Sequence, residues 1–231
     1  MTTDKELQDA VEQELLWEPS VHAEHIGVSV NNGIVQLDGH VNGYHEKWAA
    51  ERATMRVANV KAVASELKVE LPSSDTRTDA DIARAALNNL EWNVLVPNTV
   101  KVQVTDGWLT LNGVVEWQYQ KGEAERAVRS LMGVKTVLNE ITVKPSVSAV
   151  GVKSKIEDAF KRSAEIDAGH IKVEASGGTV TLRGHVRAWV EREEAERVAW
   201  QAPGVTEVDN QIEVVDVIEA VDVVEQQRRV S

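Results

Sequence analysis

The chain has 231 residues, no cysteine and a formal net charge of −12, from 25 basic and 37 acidic side chains. The lack of cysteine excludes disulfides, thiolate metal sites and cysteine nucleophiles, and the acidic balance argues against a nucleic-acid partner, which needs clustered lysine and arginine. The first residues show no signal-peptide pattern, and no apolar run approaches the roughly 20 residues of a membrane span. We therefore predict a cytoplasmic protein with no signal peptide and no transmembrane segment.

The start of the chain predicts a helix, a hairpin, a second helix and a final strand. Leu7, Val11 and Leu15 recur at helical spacing, and Pro19 ends that helix. Asn32-Gly33 favours a two-residue type I′ turn, because both central residues of such a turn need positive φ. In order, the predicted elements are a helix at 4–17, strands at 26–30 and 35–41, a helix at 45–58 and a strand at 67–71.

This pattern is written three times. Residues 33–41 (GIVQLDGHV) recur as 107–115 (GWLTLNGVV) and 178–186 (GTVTLRGHV). A repeat of about 71 to 74 residues is long enough to fold alone. We predict an α+β fold of three tandem αββαβ modules, each a three-stranded mixed sheet packed under two helices. The predicted domains are 1–72, 73–146 and 147–217, followed by a C-terminal tail at 218–231.

Two glycines recur in every copy and are predicted to have structural roles. The first of each pair closes the hairpin turn, and the second, inside the returning strand, is predicted to let the second helix approach the sheet closely. The turn glycines are Gly33, Gly107 and Gly178, and the strand glycines are Gly39, Gly113 and Gly184.

Each second helix carries Ala-Glu-Arg, and a short motif follows it. Residues 133–139 read GVKTVLN and residues 204–210 read GVTEVDN, whereas the first copy has Asn59 for the glycine and Ser65 for the final asparagine. The recurrence of the acid favours a salt-bridged helix face over a catalytic pair; the acids are Glu51, Glu125 and Glu196.

Taken together, these residues resemble the BON family, the small domain named for bacterial osmotically inducible and nodulation proteins, and the resemblance covers nearly the whole chain. It implies a small mixed sheet under two helices, and binding modules linked to osmotic stress and envelope integrity, with phospholipid surfaces as ligand. It brings no catalytic residues. We interpret the chain as a non-enzymatic, cofactor-free binding protein for a phospholipid surface, the membrane periphery or an envelope component. The alternatives are a protein-interaction scaffold, including self-association, and a module responsive to potassium, calcium or zinc.

Four histidines form two predicted cross-strand pairs. If the turns lie at Asn32-Gly33 and Gly177-Gly178, His25 lies opposite His40 and His170 lies opposite His185. Side chains at such positions are about 4.5 to 5.5 Å apart at Cβ, close enough to share a metal ion or to repel each other when protonated. A structural zinc site needs four ligands, and the alternative is a pair of solvated strand residues.

The seven tryptophans are unusual in a chain with 4% aromatic residues. Trp17 and Trp92 end the first helices of their copies, where packing at a helix end is the simplest interpretation. Trp108, Trp117 and Trp189 lie in or beside the hairpins and are the candidates for an interaction surface, since exposed tryptophan inserts at lipid interfaces or anchors protein partners.

Overall fold

The computed structural model describes residues 3–146, 151–163 and 169–215. The predicted tail at 218–231 lies outside the described residues. Each repeat has the predicted order of helix, hairpin, helix and strand, and we name the repeats module 1 (α1 to β4), module 2 (α3 to β9) and module 3 (α5 to β12). The predicted fold class is confirmed. No helix in the described part of the chain has the length and apolarity needed to cross a membrane.

The secondary structure follows the same sequence in each module. Module 1 contains α1 (Asp4–Trp17), β1 (Ile26–Asn31), β2 (Ile34–Val41), α2 (Tyr44–Arg56), β3 (Ala62–Ser65) and β4 (Lys68–Val69). Module 2 contains α3 (Asp79–Trp92), β5 (Lys101–Thr105), β6 (Trp108–Asn112), β7 (Val114–Val115), α4 (Gln118–Val128), β8 (Thr136–Asn139) and β9 (Thr142–Val143). Module 3 contains α5 (Val152–Arg162), β10 (Ile171–Ser176), β11 (Thr179–Val186), α6 (Trp189–Trp200) and β12 (Glu207–Val214).

The first helices form where the sequence supplies a cap and an apolar stripe. Thr3 accepts a hydrogen bond from the Glu6 backbone, and the Glu6 carboxylate accepts one from the Thr3 backbone, which is a capping box. Leu7, Val11 and Leu15 then lie on one face and are at most 3% exposed. The core of module 1 therefore lies between this stripe and the inner face of the sheet.

The central strand of each sheet is the second arm of the hairpin. In module 1, β2 pairs antiparallel with β1 and parallel with β3 and β4, and in module 3 β11 pairs in the same way with β10 and β12. The last strand is continuous in module 3 but is divided in modules 1 and 2. The sheets are thus mixed, as predicted.

The hairpin turns of modules 1 and 2 are clamped from the first helix. Asn32 and Gly33 both have positive φ, at 52° and 79°, as the predicted type I′ turn requires. Their backbone N–H groups donate to the carboxylate of Asp4, at 2.8 and 3.2 Å. Asp79 accepts the corresponding bonds from Asp106 and Gly107, at 2.8 and 2.9 Å. The start of each first helix therefore fixes the turn of its own hairpin.

The explanation predicted for the strand glycines is wrong in its partner. A Cβ on Gly39 would meet first the carbonyl oxygen of His25, and one on Gly184 that of His170, both far inside the 3.0 Å that Cβ atoms keep from other heavy atoms. On Gly113 the nearest atom is the Thr99 carbonyl oxygen, at 2.5 Å. The close neighbour is the backbone leading into the first strand, and not the second helix. All three glycines also have positive φ, between 116° and 144°.

The motif after the second helix joins the last strand to that helix. Asn210 donates through Nδ2 to the Arg192 carbonyl and the Glu196 carboxylate, at 3.2 and 3.0 Å, and its Oδ1 accepts from the Ile212 backbone. Asn139 makes the same three bonds in module 2. The predicted salt-bridged face is therefore corrected for Glu125 and Glu196: these carboxylates bind an asparagine of the last strand.

Module 1 lacks this connection. Ser65 holds the asparagine position, and its buried hydroxyl has no hydrogen-bond partner among the described residues. Asn59, by contrast, adopts the left-handed conformation of the glycine it replaces, with φ of 70°, as its type allows.

Candidate functional site

The two first helices that end in tryptophan do not bury it. Trp17 and Trp92 are 83% and 90% exposed, so the predicted packing at the helix ends is wrong. Leu16 lies beside Trp17, and Val94, which is 95% exposed, and Leu95 follow Trp92. We call these two groups, Leu16 with Trp17 and Trp92 with Val94 and Leu95, the apolar tips. They occupy the same place in modules 1 and 2.

The three predicted interaction tryptophans do not form one surface. Trp108 is 52% exposed on β6, whereas Trp117 and Trp189 are half-buried and line a cleft between modules. Sequence reasoning did not single out three other aromatic residues at these sites, namely Trp92 at a tip and Tyr119 and Trp200 at the cleft. Only the packing of modules against each other distinguishes them.

The second helices bring the modules together. From α2, Tyr44 packs against the core of module 2 and hydrogen-bonds to the Val137 backbone. One turn later, the Trp48 ring stacks under the Arg129 guanidinium, 3.8 Å from its centroid. Burial, with the nearby Glu125 and Glu51 carboxylates, raises the pKa of the Tyr44 hydroxyl above its ordinary value. Tyr44 is thus a neutral anchor between modules 1 and 2.

A second interface joins modules 3 and 1 through residues in the same places of the repeat. Trp189, the first residue of α6, packs against the core of module 1. One turn later, Glu193 forms an ion pair with Arg52 of α2. Trp200, at the end of α6, packs against the cores of both module 2 and module 3. The cleft of about 910 Å³ lies beside Trp200, where modules 2 and 3 meet below Met55 of module 1.

The predicted histidine pairing is confirmed, while its function stays a prediction. Ile26 pairs with Gly39 and Ile171 with Gly184, which places the histidines as expected. The His25 and His40 rings stack with centroids 4.6 Å apart, and those of His170 and His185 lie 4.9 Å apart. No group of three or more potential metal ligands occurs within the described ranges, so a metal at either pair needs further ligands from solvent or another molecule.

A different histidine has a clear electrostatic partner. Glu46, 1% exposed at the start of α2, accepts hydrogen bonds from the backbones of His22 and Asn42, both at 2.7 Å, and from the His22 ring at 2.8 Å. Burial by itself raises the pKa of the Glu46 carboxyl, but these hydrogen bonds outweigh it and the pKa is lowered. The hydrogen bond to Glu46 in turn raises the pKa of His22.

We expect the His22 ring to stabilise module 1 mainly between about pH 4.5 and 6.5, the ordinary values of the two groups. The contribution of His22 is present below its unfolded pKa and is lost as pH rises through its raised folded pKa. The contribution of Glu46 is present above its unfolded pKa and is lost as pH falls through its lowered folded pKa. Urea denaturation of the wild type and His22→Ala across this range measures the difference. An equal difference at pH 5.5 and pH 9 would contradict the expectation.

Comparison with known proteins gives the family. The BON domain model matches residues 3–70, 78–145 and 148–216. The chain is 26% identical over 149 residues to osmotically inducible protein Y of Escherichia coli strain K12, covering 61% of this chain and 73% of that protein. Two solved structures were also matched, both at low similarity. CdsD, a structural protein of the type III secretion system of Chlamydia trachomatis, is 14% identical, with 94% of this chain and 96% of that chain covered and a TM-score of 0.24. The PrgH periplasmic domain is 11% identical, with 83% and 96% covered and a TM-score of 0.23. Likenesses at this level say nothing about function.

The prediction of a cytoplasmic protein is wrong. It is overturned by the match to osmotically inducible protein Y, which is a periplasmic or outer-membrane-associated protein. The prediction depended on two absences, of cysteine and of an export signal, and neither absence identifies a compartment. The three family matches, by contrast, follow the repeats that the sequence and the fold define. The chain therefore belongs to the BON domain family, with three domains in tandem.

Proposed function

We propose that this chain is a non-enzymatic protein that binds phospholipid surfaces and acts in the response to osmotic or envelope stress. The stress role is supported by the similarity to an osmotically inducible protein. The lipid role is supported by the two apolar tips, and the exposure of Trp92 and Val94, at 90% and 95%, is the observation that carries it.

The apolar tips have the chemistry of an interfacial anchor. Tryptophan prefers the boundary between lipid headgroups and acyl chains, where its ring is apolar and its N–H remains hydrated. A tip that presents Trp92 and two aliphatic side chains gains free energy by entering that boundary, at about 25 cal/mol per Å² of apolar surface removed from water. Trp17 and Leu16 offer a second tip of the same kind in module 1.

The charge of the chain determines which lipid surface it suits. A net charge of −12 opposes attraction to an anionic surface. The arginine nearest the module 1 tip is also already paired, since Arg56 binds Glu14 and Glu18 at 2.9 Å. Binding is therefore expected to depend on apolar insertion, and to be stronger on zwitterionic phosphatidylcholine than on anionic vesicles at low salt.

Flotation with phosphatidylcholine vesicles tests this proposal. We expect the wild type to float with the vesicles and Trp92→Ala to lose about tenfold in affinity, since burying a large apolar side chain contributes about 1.5 to 3 kcal/mol. Trp108→Ala is the matched control, because Trp108 is also an exposed tryptophan of module 2 but lies on a strand away from the tips.

Two results would count against the proposal. One is a wild-type chain that floats with no lipid, whether zwitterionic or anionic. The other is an equal loss in Trp92→Ala and Trp108→Ala. Capture of a protein by the tips in the absence of vesicle binding would favour the scaffold interpretation instead.

A further inference from the structure

The third module interface departs from the pattern of the other two. Tyr44 and Trp48 join module 1 to module 2, and Trp189 and Glu193 occupy the same repeat positions where module 3 meets module 1. In α4 of module 2 these positions hold Gln118 and Gly122. The third interface thus has neither the aromatic anchor nor the large side chain one turn after it.

The missing side chains leave open space. A Cβ placed on Gly122 would find no other heavy atom within 4 Å. Trp200 stands at the repeat position of Arg129, the residue that covers Trp48 at the first interface. Beside it is the cleft of about 910 Å³, which Gln118 also lines. That volume lies within the roughly 300 to 1,000 Å³ of small-molecule sites.

The walls of the cleft are aromatic and contain two unsatisfied donors. Trp117, Tyr119, Trp189 and Trp200 line it together with Met55. The indole Nε1 atoms of Trp189 and Trp200 are buried, and neither finds a hydrogen-bond partner in the described part of the chain. A buried donor without a partner is destabilising by about 1 to 3 kcal/mol, so an acceptor oxygen within reach of these N–H groups would be bound favourably.

The charged residues of the cleft are already engaged. Arg192 donates to the carbonyl oxygens of Ile212 and Asn210, at 3.0 and 2.7 Å. Glu193 is paired with Arg52, and Glu196 accepts from Asn210. An ionic ligand would have to compete with these contacts, whereas an uncharged ligand would leave them in place.

We propose that this cleft binds one molecule of an uncharged amphiphile that has a flat apolar body and carbonyl or hydroxyl oxygens. The body stacks between the aromatic walls, and an oxygen accepts from the indole N–H groups. The site goes beyond the proposed attachment to lipid surfaces, because none of the apolar tip residues lines the cleft.

The uncharged naphthalene ketone Prodan has this chemistry and reports binding by a blue shift of its emission. With the full chain we expect saturable binding of one Prodan per chain. Gln118→Tyr restores the residue type that fills the first interface, and we expect it to weaken binding by about tenfold, or about 1.4 kcal/mol. Gln103→Tyr makes the same change on an exposed strand of module 2 and should bind as the wild type does.

A second variant keeps the test decisive if Gln118→Tyr does not fold. Trp200→Phe keeps an aromatic ring and removes the N–H, and we expect about two- to tenfold weaker binding with an emission less shifted by hydrogen bonding. The proposal is overturned by an absence of saturable binding, by more than one Prodan per chain, or by wild-type affinity in Trp200→Phe or in folded Gln118→Tyr. Absence of binding would also result if another part of the chain or a second copy already filled the cleft, and it would equally refute a free site.

Discussion

Replacing Gly184 with alanine is expected to destabilise module 3 by at least about 3 kcal/mol. The new Cβ would overlap the carbonyl oxygen of His170, which is backbone and cannot rotate away. Gly184 also has a φ of 137°, which residues with a side chain rarely adopt. Relief would require β10 and β11 to separate where Ile171 pairs with Gly184, at the end of the hairpin ladder.

Hydrogen exchange of the β10–β12 amides measures this loss in the full chain, because it reports the opening of one module separately from the others. Gly113→Ala is expected to have a smaller effect, since its nearest contact would be 2.5 Å. Gly122→Ala is the control: it lies in α4 with free space around the new Cβ, and alanine is favoured over glycine in a helix by about 1 kcal/mol. A Gly184→Ala chain within 0.5 kcal/mol of the wild type, a margin typical of surface substitutions, would show that the strand crossing is not as rigid as the contacts require.

The features that the sequence predicts correctly are those determined by neighbours along the chain. Asn32-Gly33 specifies its turn through its own φ preferences, and the turn then sets the register that brings His25 beside His40. The stripe of Leu7, Val11 and Leu15 likewise needs only helical periodicity to identify the buried face. Such features recur in every copy, so three weak patterns support each other.

The features that the sequence does not predict depend on which segments meet in space. The neighbour of Gly39 is a carbonyl 14 residues earlier, reached only because β1 crosses over β2 there. Trp189 and Trp92 are both tryptophans next to helix ends, yet one packs against module 1 and the other faces solvent. Periodicity within a module carries no information about contacts between modules, and the importance of Gln118 appears only when the three interfaces are compared.

Replacing Asn210 with alanine is expected to destabilise module 3 by about 2 to 3 kcal/mol. The substitution removes three hydrogen bonds, one of them to the Glu196 carboxylate, and leaves the Arg192 carbonyl without this donor. Asn139→Ala should have a comparable effect in module 2. Asn88→Ala, on the exposed face of α3, is the matched control and should leave stability unchanged or slightly raised.

The same reasoning predicts a gain in module 1, where Ser65 holds the asparagine position with a buried and unsatisfied hydroxyl. We expect Ser65→Asn to stabilise module 1 by about 1 kcal/mol, since it would supply a donor for Glu51, the counterpart of Glu196. Ser65→Ala removes the hydroxyl without adding a donor and should yield less. If the gain comes from the new bond, it must shrink when Glu51 is also replaced by alanine, which urea denaturation of the four chains of this double-mutant cycle measures. A gain that is the same with and without Glu51 would mean that the asparagine stabilises the strand by another route, and that the bond between helix and strand is not what the repeated motif provides.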